Sequence, residues 1–452
     1  MRFLFLALLF LTSCAVGPNY KAPNTELEAS FKNAGFTAPP SGGEWWSLFK
    51  DVKLSSLLKK AEADSPTARA ALARYDQARA ALGLARADAY PSVSGAAYAR
   101  RQGDSSNSNF SVGTYNDYRT ALNLSWEVDL WGRVRRQVAA AKADKDAAEY
   151  EYEAALLSLR GEVARAYLSL RFADAEIALL EKTVSLRAEA RRLTKARLDG
   201  GASSSIDHDR SVTEHESVSA ELDQLRAQRA KFENALATLT GQSASGFTLK
   251  PNASRPTVPA VPAGVPSDLL RRRPDIAASE RNLAAASERI GVVIASYLPK
   301  LTITGTGGVQ SLKASDLFSP GSKLWSLGPE LSLPLFQAGR GSGEKARVKA
   351  VYRESLEKYR ETLLVAIQET EDSLGDSRLL AKASASKSRG AKSAASAADL
   401  TRKRYEGGVT DYFEVVDAER TSFNESRAAL NIDLARALAA TRLIQSVGGG
   451  WK

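Results

Sequence analysis

Residues 138–198 read VAAAKADKDAAEYEYEAALLSLRGEVARAYLSLRFADAEIALLEKTVSLRAEARRLTKARL: 61 positions without a proline and with one internal glycine, Gly161. As a single helix this run is about 90 Å long at 1.5 Å per residue. Helices of that length belong to coiled coils or tubular assemblies, not to ordinary globular domains. A second proline-free run covers 343–405, 63 residues and about 95 Å. Each run ends at a glycine pair, Gly200-Gly201 and Gly407-Gly408, where left-handed turn geometry costs little. A shorter helical segment follows each pair, near 206–239 and 412–447, and is expected to return antiparallel.

The two runs belong to a duplication. Pro66-Thr67 matches Pro274-Asp275, and Ala89-Tyr90-Pro91 matches Ser296-Tyr297-Leu298-Pro299. Asp129-Leu130-Trp131-Gly132-Arg133 matches Phe336-Gln337-Ala338-Gly339-Arg340, and Arg197-Leu198-Asp199-Gly200-Gly201 matches Arg404-Tyr405-Glu406-Gly407-Gly408. Four landmarks in one order at an offset of about 207 mark an internal repeat. The join, 250–266, is too rich in proline for helix or central strand. Each copy reads helix, strand, strand, long helix, shorter helix. In the first, Tyr118, Thr120, Leu122, Leu124, Trp126 and Val128 alternate with polar or small residues. In the second, Leu301, Ile303, Gly305 and Val309 alternate with threonines, and Trp325, Leu327, Leu331, Leu333 and Leu335 face away from Ser326, Glu330 and Ser332. These are period-two hairpins with one apolar face. Four strands cannot close a pore, and open sheet edges are not tolerated in hydrocarbon. The expectation is therefore an α+β chain that assembles in threes: a 12-stranded outer-membrane β-barrel, four strands per chain, continuous with a 12-helix α-barrel. Gly132 and Gly339, where strand becomes helix, would supply the bends.

Composition fits a hollow helical wall. Residues 61–90 hold 12 Ala in 30, which favours helix and lets helices approach closely. A single Cys and two His exclude a disulfide scaffold and the usual zinc sites. The net charge of +10 alone would allow nucleic acid, but it is dispersed. The Arg271-Arg272-Arg273 cluster before Pro274 reads as a structural ion-pair group instead. His208 and His215, seven apart, are too distant for a tight metal pair. No nucleophile–base pair or phosphate loop is present, so no enzyme activity is expected, and neither metal nor nucleic acid as partner.

The chain opens MRFLFLALLFLTSC. Its nine-residue apolar stretch is too short to span a membrane as a helix, and Leu11-Thr12-Ser13-Cys14 resembles a bacterial lipobox. That resemblance implies cleavage before Cys14 and a covalent S-diacylglycerol and N-acyl lipid on Cys14, with no other cofactor; Ala15 implies delivery to the outer membrane. Three acyl chains make an effectively permanent anchor. Trp45, Trp46 and Phe49 either pack against the helical body or face lipid headgroups. The expected organisation is a signal peptide at 1–13, a tether and equatorial segment at 14–60, and a first repeat at 61–249 with hairpin 92–129 and helix pair 133–240. The linker 250–266, a second repeat at 267–447 with hairpin 300–336 and helix pair 341–447, and a tail at 448–452 complete it.

WEVDLWGRVRR at 126–136, LLRRRPDIAASERNL at 269–283, SYLPKLTITG at 296–305, PLFQAGR at 334–340 and RYEGGVTDYFEVVDAER at 404–420 resemble the TolC-type outer membrane factors. LTSCAVGPNYKAP at the start is similar to their lipoprotein branch, which partners resistance-nodulation-division pumps. The resemblance implies a homotrimer in the outer membrane of a Gram-negative bacterium, lipid-anchored, with a large periplasmic portion. It would serve as the exit duct of an inner-membrane pump joined by a periplasmic adaptor, a membrane fusion protein. It places a periplasmic gate at Glu414 and Asp417, with Asp207 and Tyr405 as an acid–phenol latch, and adaptor-docking tips at Gly200, Gly201, Gly407 and Gly408. A family gate arginine is Thr410 here, and Ile206 stands near the matching turn of the first copy, so closure must use other contacts; Arg402, Arg404 and Arg420 are candidates. Read from the residues alone, Glu414 and Asp417 could equally be a solvated helix face. A lipid-anchored periplasmic coiled-coil protein without a pore is the rival reading of the whole chain.

Overall fold

A computed structural model of the chain describes residues 15–24, 31–32, 44–105, 107, 113–259 and 272–449. The signal peptide, Cys14, Arg271 and residues 450–452 lie outside the described residues. The chain runs α1 (Val52–Asp64), α2 (Pro66–Ala87), β1 (Ser92–Gly103), β2 (Thr114–Val128), α3 (Arg133–Asp199), α4 (Ser205–Leu239), α5 (Pro274–Ala295), β3 (Lys300–Ser311), β4 (Lys323–Ser332), α6 (Arg340–Glu406) and α7 (Tyr412–Ser446). Both long helices have 67 residues, about 100 Å each, and start at Arg133 and Arg340. At the start of α3, Asp129 accepts from the amides of Val134 and Arg135 at 3.1 and 2.9 Å, satisfying N–H groups that have no partner inside the helix. Strand β4 ends at Ser332, short of the expected alternation through Leu335.

Contacts divide the chain into two compact units. The first takes residues up to Asn24, 74–149 and 278–360; the second takes 25–73, 150–277 and 361–452.

The first unit holds one antiparallel sheet, ordered β1-β2-β3-β4, so the two hairpins are joined by β2–β3 pairing. The register puts Val93 beside Leu124, Trp126 beside Ile303, and Leu301 beside Leu331. That face is apolar, and much of it is bare, Trp325 being 82% exposed. The opposite face is polar: Thr306 donates to Asn123 at 3.1 Å, and Gln310 and Tyr98 donate to Asp117 at 2.9 and 3.0 Å. Pro329 sits in β4, an edge strand, where a missing donor is tolerated.

The tether is held against this unit. Val16 N–H donates to the Trp131 carbonyl at 3.0 Å, and Tyr20 donates to Glu280 at 2.5 Å. A Cβ at Gly132, whose φ is +81°, would lie 2.7 Å from Ala15 Cβ. Glycine is therefore required there both for the turn and for the close approach.

The second unit has the larger core. Trp45, Trp46 and Phe49 are buried with Leu54, Leu58, Val163 and Leu236, so these aromatics pack against the helices and are not interfacial. Asp174, itself buried, accepts from Arg171, Arg229 and the Asn252 amide at 3.0, 2.6 and 3.0 Å. The two guanidinium groups also bind the carbonyls of Lys250 and Leu249. A buried carboxylate matched by two arginines thus pins the start of the proline-rich linker. Arg273 is likewise a structural ion-pair residue, bound to Asp275 and Glu369 at 2.7 Å each and to the Ser446 carbonyl.

Candidate functional site

The two helical turns are built alike. The Ala202 amide donates to the Arg197 carbonyl at 2.8 Å and the Val409 amide to the Arg404 carbonyl at 2.9 Å. Gly201 and Gly408 sit at φ +73° and +75°. This is the closure in which a left-handed glycine ends a helix; Gly200 and Gly407 precede it, still donating to α3 and α6 carbonyls. The return helices are capped at equivalent positions. Ser204 accepts from the Asp207 amide and Asp411 from the Glu414 amide. Asp207 and Glu414 are thus the same position of the repeat, the third residue of a helix, where a carboxylate complements the helix dipole.

That placement corrects the expected latch. The Asp207 carboxylate accepts from Ser203 and Ser204 at 3.0 and 3.3 Å. The Tyr405 hydroxyl instead accepts from Arg197, whose guanidinium lies 4.5 Å over the phenol ring. Asp207 acts on Tyr405 only through its charge: burial and then that carboxylate raise the phenol's pKa, against the opposing Arg197. Glu414 and Asp417 are both exposed in the single chain, and Asp417 pairs with Arg420 at 2.9 Å. Thr410, standing at the arginine position, has a buried hydroxyl with no hydrogen-bond partner among the described residues.

A different set of charges ties the four helices together above the turns. Arg187 of α3 is 3% exposed. Its guanidinium lies 3.9 Å from Glu214 of α4 and 3.2 Å from Glu419 of α7. Glu419 in turn accepts from Arg402 Nε of α6 at 3.0 Å. Further from the turns, Arg427 of α7 binds Glu176 of α3 at 2.5 Å and Glu221 of α4 at 2.9 Å. Tyr405 and Tyr412 lie beside the cluster with ring centres 5.8 Å apart and planes inclined at 55°. Burial pushes the Tyr412 phenol up to about 12, with Arg187 opposing and Glu419 reinforcing the shift. Arg402 was legible as a candidate from sequence. Arg187 and Glu419 were not singled out, although Glu419 lies opposite Arg402 across the α6–α7 turn.

Between the starts of α4 and α7 lies a groove of about 510 Å³ lined by Ile206, Thr213, Phe413, Val416 and Asp417. Arg210 reaches over the Phe413 ring at 5.7 Å. Among the described residues, no group of three or more His, Cys, Asp or Glu is placed to hold a metal ion, and no helix is long and apolar enough to cross a membrane.

A sheet apolar on one face and polar on the other, feeding helices about 100 Å long, defines this chain as one wall segment of a membrane channel. The chain belongs to the outer membrane efflux protein family, which it matches over residues 57–242 and 265–449. It is 31% identical to the outer membrane protein OprJ of Pseudomonas aeruginosa, over 99% of this chain and 95% of that one. It is 27% identical to the cation efflux system protein CusC of Escherichia coli, over 99% and 98%. Among solved structures, the open state of the Neisseria gonorrhoeae MtrE outer membrane channel is similar with a TM-score of 0.86 at 28% identity, covering 97% of this chain and 99% of that one. The protein is accordingly an outer-membrane exit duct of an efflux system in a Gram-negative bacterium.

Proposed function

We propose that three copies of this chain close into one duct that passively conducts substrates delivered by an inner-membrane pump of the resistance-nodulation-division type, through a periplasmic adaptor. The observation that carries this reading is the sheet: one bare apolar face, one polar face, and free edges at β1 and β4. Edge-to-edge pairing of β4 with β1 of the next copy gives twelve strands with no edge left in hydrocarbon. The polar face, with Asn123, Thr306 and Asp117, then lines the lumen.

The glycine turns present the helix ends to the adaptor. Threefold symmetry brings Glu414 and Asp417 of each copy around the axis, where crowded carboxylates attract cations. The Glu214–Arg187–Glu419–Arg402 cluster takes the role of holding the tip closed, since the Thr410 position offers no arginine and Tyr405 is engaged by Arg197. Cys14 carries the S-diacylglycerol and N-acyl lipid. The duct performs no bond-making step and uses no cofactor beyond that lipid; the pump supplies the energy.

The test is assembly and conductance. Unboiled protein from membranes should run as an SDS-resistant trimer and form cation-preferring channels in planar bilayers. A monomer would sink the duct reading. Reversing both charges with Glu414→Lys and Asp417→Lys should abolish the cation preference; an unchanged preference removes these residues from the gate.

A further inference from the structure

Lys345, Lys349 and Arg353 follow one another at four-residue spacing along α6, so they form one stripe on the helix surface. With Lys21 of the tether they border a groove of about 890 Å³. Its floor is apolar, made by Ile290 and Ile294 of α5 together with the rings of Tyr20 and Tyr352. No carboxylate lines it, and none of the four cations makes an ion pair among the described residues. Three neighbouring cations of α6 are paired within the helix: Arg347 binds Glu344 at 2.6 Å, Lys358 binds Glu354 at 2.6 Å, and Arg360 binds Glu357 at 2.7 Å. Arg378, Lys382 and Lys392 of the same helix also lack an ion pair among the described residues, so what singles out this stripe is the apolar groove free of carboxylates that it borders.

The groove lies at the base of the sheet. Lys345 is five residues past the first residue of α6, about 8 Å along its axis. Ile294 is one residue before the end of α5, which leads directly into β3. Tether residues 17–21 form one wall, three residues downstream of Cys14. The tether is fixed there by Gly17, whose Cβ would lie 2.6 Å from Gly291 Cα, and by the Tyr20–Glu280 hydrogen bond.

We propose that this groove binds an anionic phospholipid of the inner leaflet of the outer membrane. The phosphate sits among Lys345, Lys349 and Arg353, and an acyl chain covers Ile290 and Ile294. Basic residues just outside a membrane attract anionic headgroups additively, and burying acyl methylenes on an apolar floor adds what a free phosphate could not gain. The lipid would reinforce the seating of the tether that forms the groove's wall. The proposal rests on the outer-membrane location of the sheet and not on the trimer.

Native mass spectrometry of the full-length lipidated protein, titrated with phosphatidylglycerol or phosphatidylethanolamine, tests it. Phosphatidylglycerol should bind at least about tenfold more tightly, and Lys345→Gln, Lys349→Gln and Arg353→Gln together should weaken it about a hundredfold. Arg347→Gln, Lys358→Gln and Arg360→Gln together should leave it unchanged. Equal binding of the two headgroups by the unaltered protein overturns the proposal whether or not any variant folds. So does a stripe variant that binds as the parent does. Complete displacement by millimolar inorganic phosphate would make this a free-anion site. Loss of the SDS-resistant trimer in the stripe variant alone would make the stripe a contact between copies. Absence of the trimer in the unaltered protein would count against the assembly reading and leave the lipid measurement valid.

Discussion

Arg187 carries a full charge at a position that water barely reaches, and its two carboxylate partners come from different halves of the duplication. A buried charge that loses its partner costs far more than the intact pair contributes. Glu419→Gln leaves Arg187 with only Glu214 at 3.9 Å and should destabilise the tip by about 3 kcal/mol. Arg187→Met should cost less, because Glu419 keeps Arg402. Hydrogen–deuterium exchange over 187–214 and 402–420 reads both, and the order of the two variants is the decisive point; a larger loss in Arg187→Met would refute the assignment.

Tyr412 makes a second prediction. Its buried hydroxyl faces the Arg187 guanidinium, and burial, opposed by that cation, lifts its pKa from 10.0 to about 12. A phenol whose folded pKa exceeds its unfolded value stabilises fully below pH 10, and that contribution is lost as pH rises through 12. Local stability of the tip should therefore hold to about pH 10 and then fall. Tyr412→Phe should remove that alkaline loss and cost no more than about 1 kcal/mol at neutral pH, for the contact with Arg187.

At the scale of elements, the sheet divides cleanly by register. Leu327 lies on the apolar face beside Gly305, and Ser326 on the polar face beside Thr306. Leu327→Arg should cost about 2–4 kcal/mol if that face meets lipid near the bilayer midplane and should reduce the trimer recovered from membranes. Ser326→Arg should assemble and change only single-channel conductance. Equal effects of the two would mean the faces are not lipid and lumen. The strands themselves were legible because a two-residue period survives in sequence, and the long helices because proline is absent for more than 60 positions. The end of β4 was not. Leu333 and Leu335 continue the alternation, but backbone pairing with β3 stops at Ser332, and pairing is what a sequence pattern does not contain.

For the whole molecule, the duplication explains why equivalent positions recur in the two turns, down to matching left-handed glycines and helix caps. It also explains what the copies do not share. Asp129 caps α3, while the corresponding residue before α6 is Phe336, which lacks an acceptor side chain. Arg187, Glu419 and Arg402 have no charge-conserving set of counterparts in the other copy: Ala394, Val212 and Lys195 stand there. The repeat supplies a common frame, and the ion cluster is what makes the two helix pairs of one chain distinct partners.

The sequence by itself determined the elements of the two repeats, their order and the turn glycines, though not α1 (Val52–Asp64), because these depend on local periodicity and on backbone freedom at single residues. It also placed Asp207 and Glu414 near the tips. It misassigned the Asp207–Tyr405 contact, since a capping serine one turn away competes for the carboxylate and Arg197 competes for the phenol. Which charges meet across the two helix pairs was decided only by the tertiary structure. Arg187 and Glu419 are 232 positions apart, and no helical or strand period relates them. Only the packing of one antiparallel pair against another brings a buried guanidinium within reach of both carboxylates.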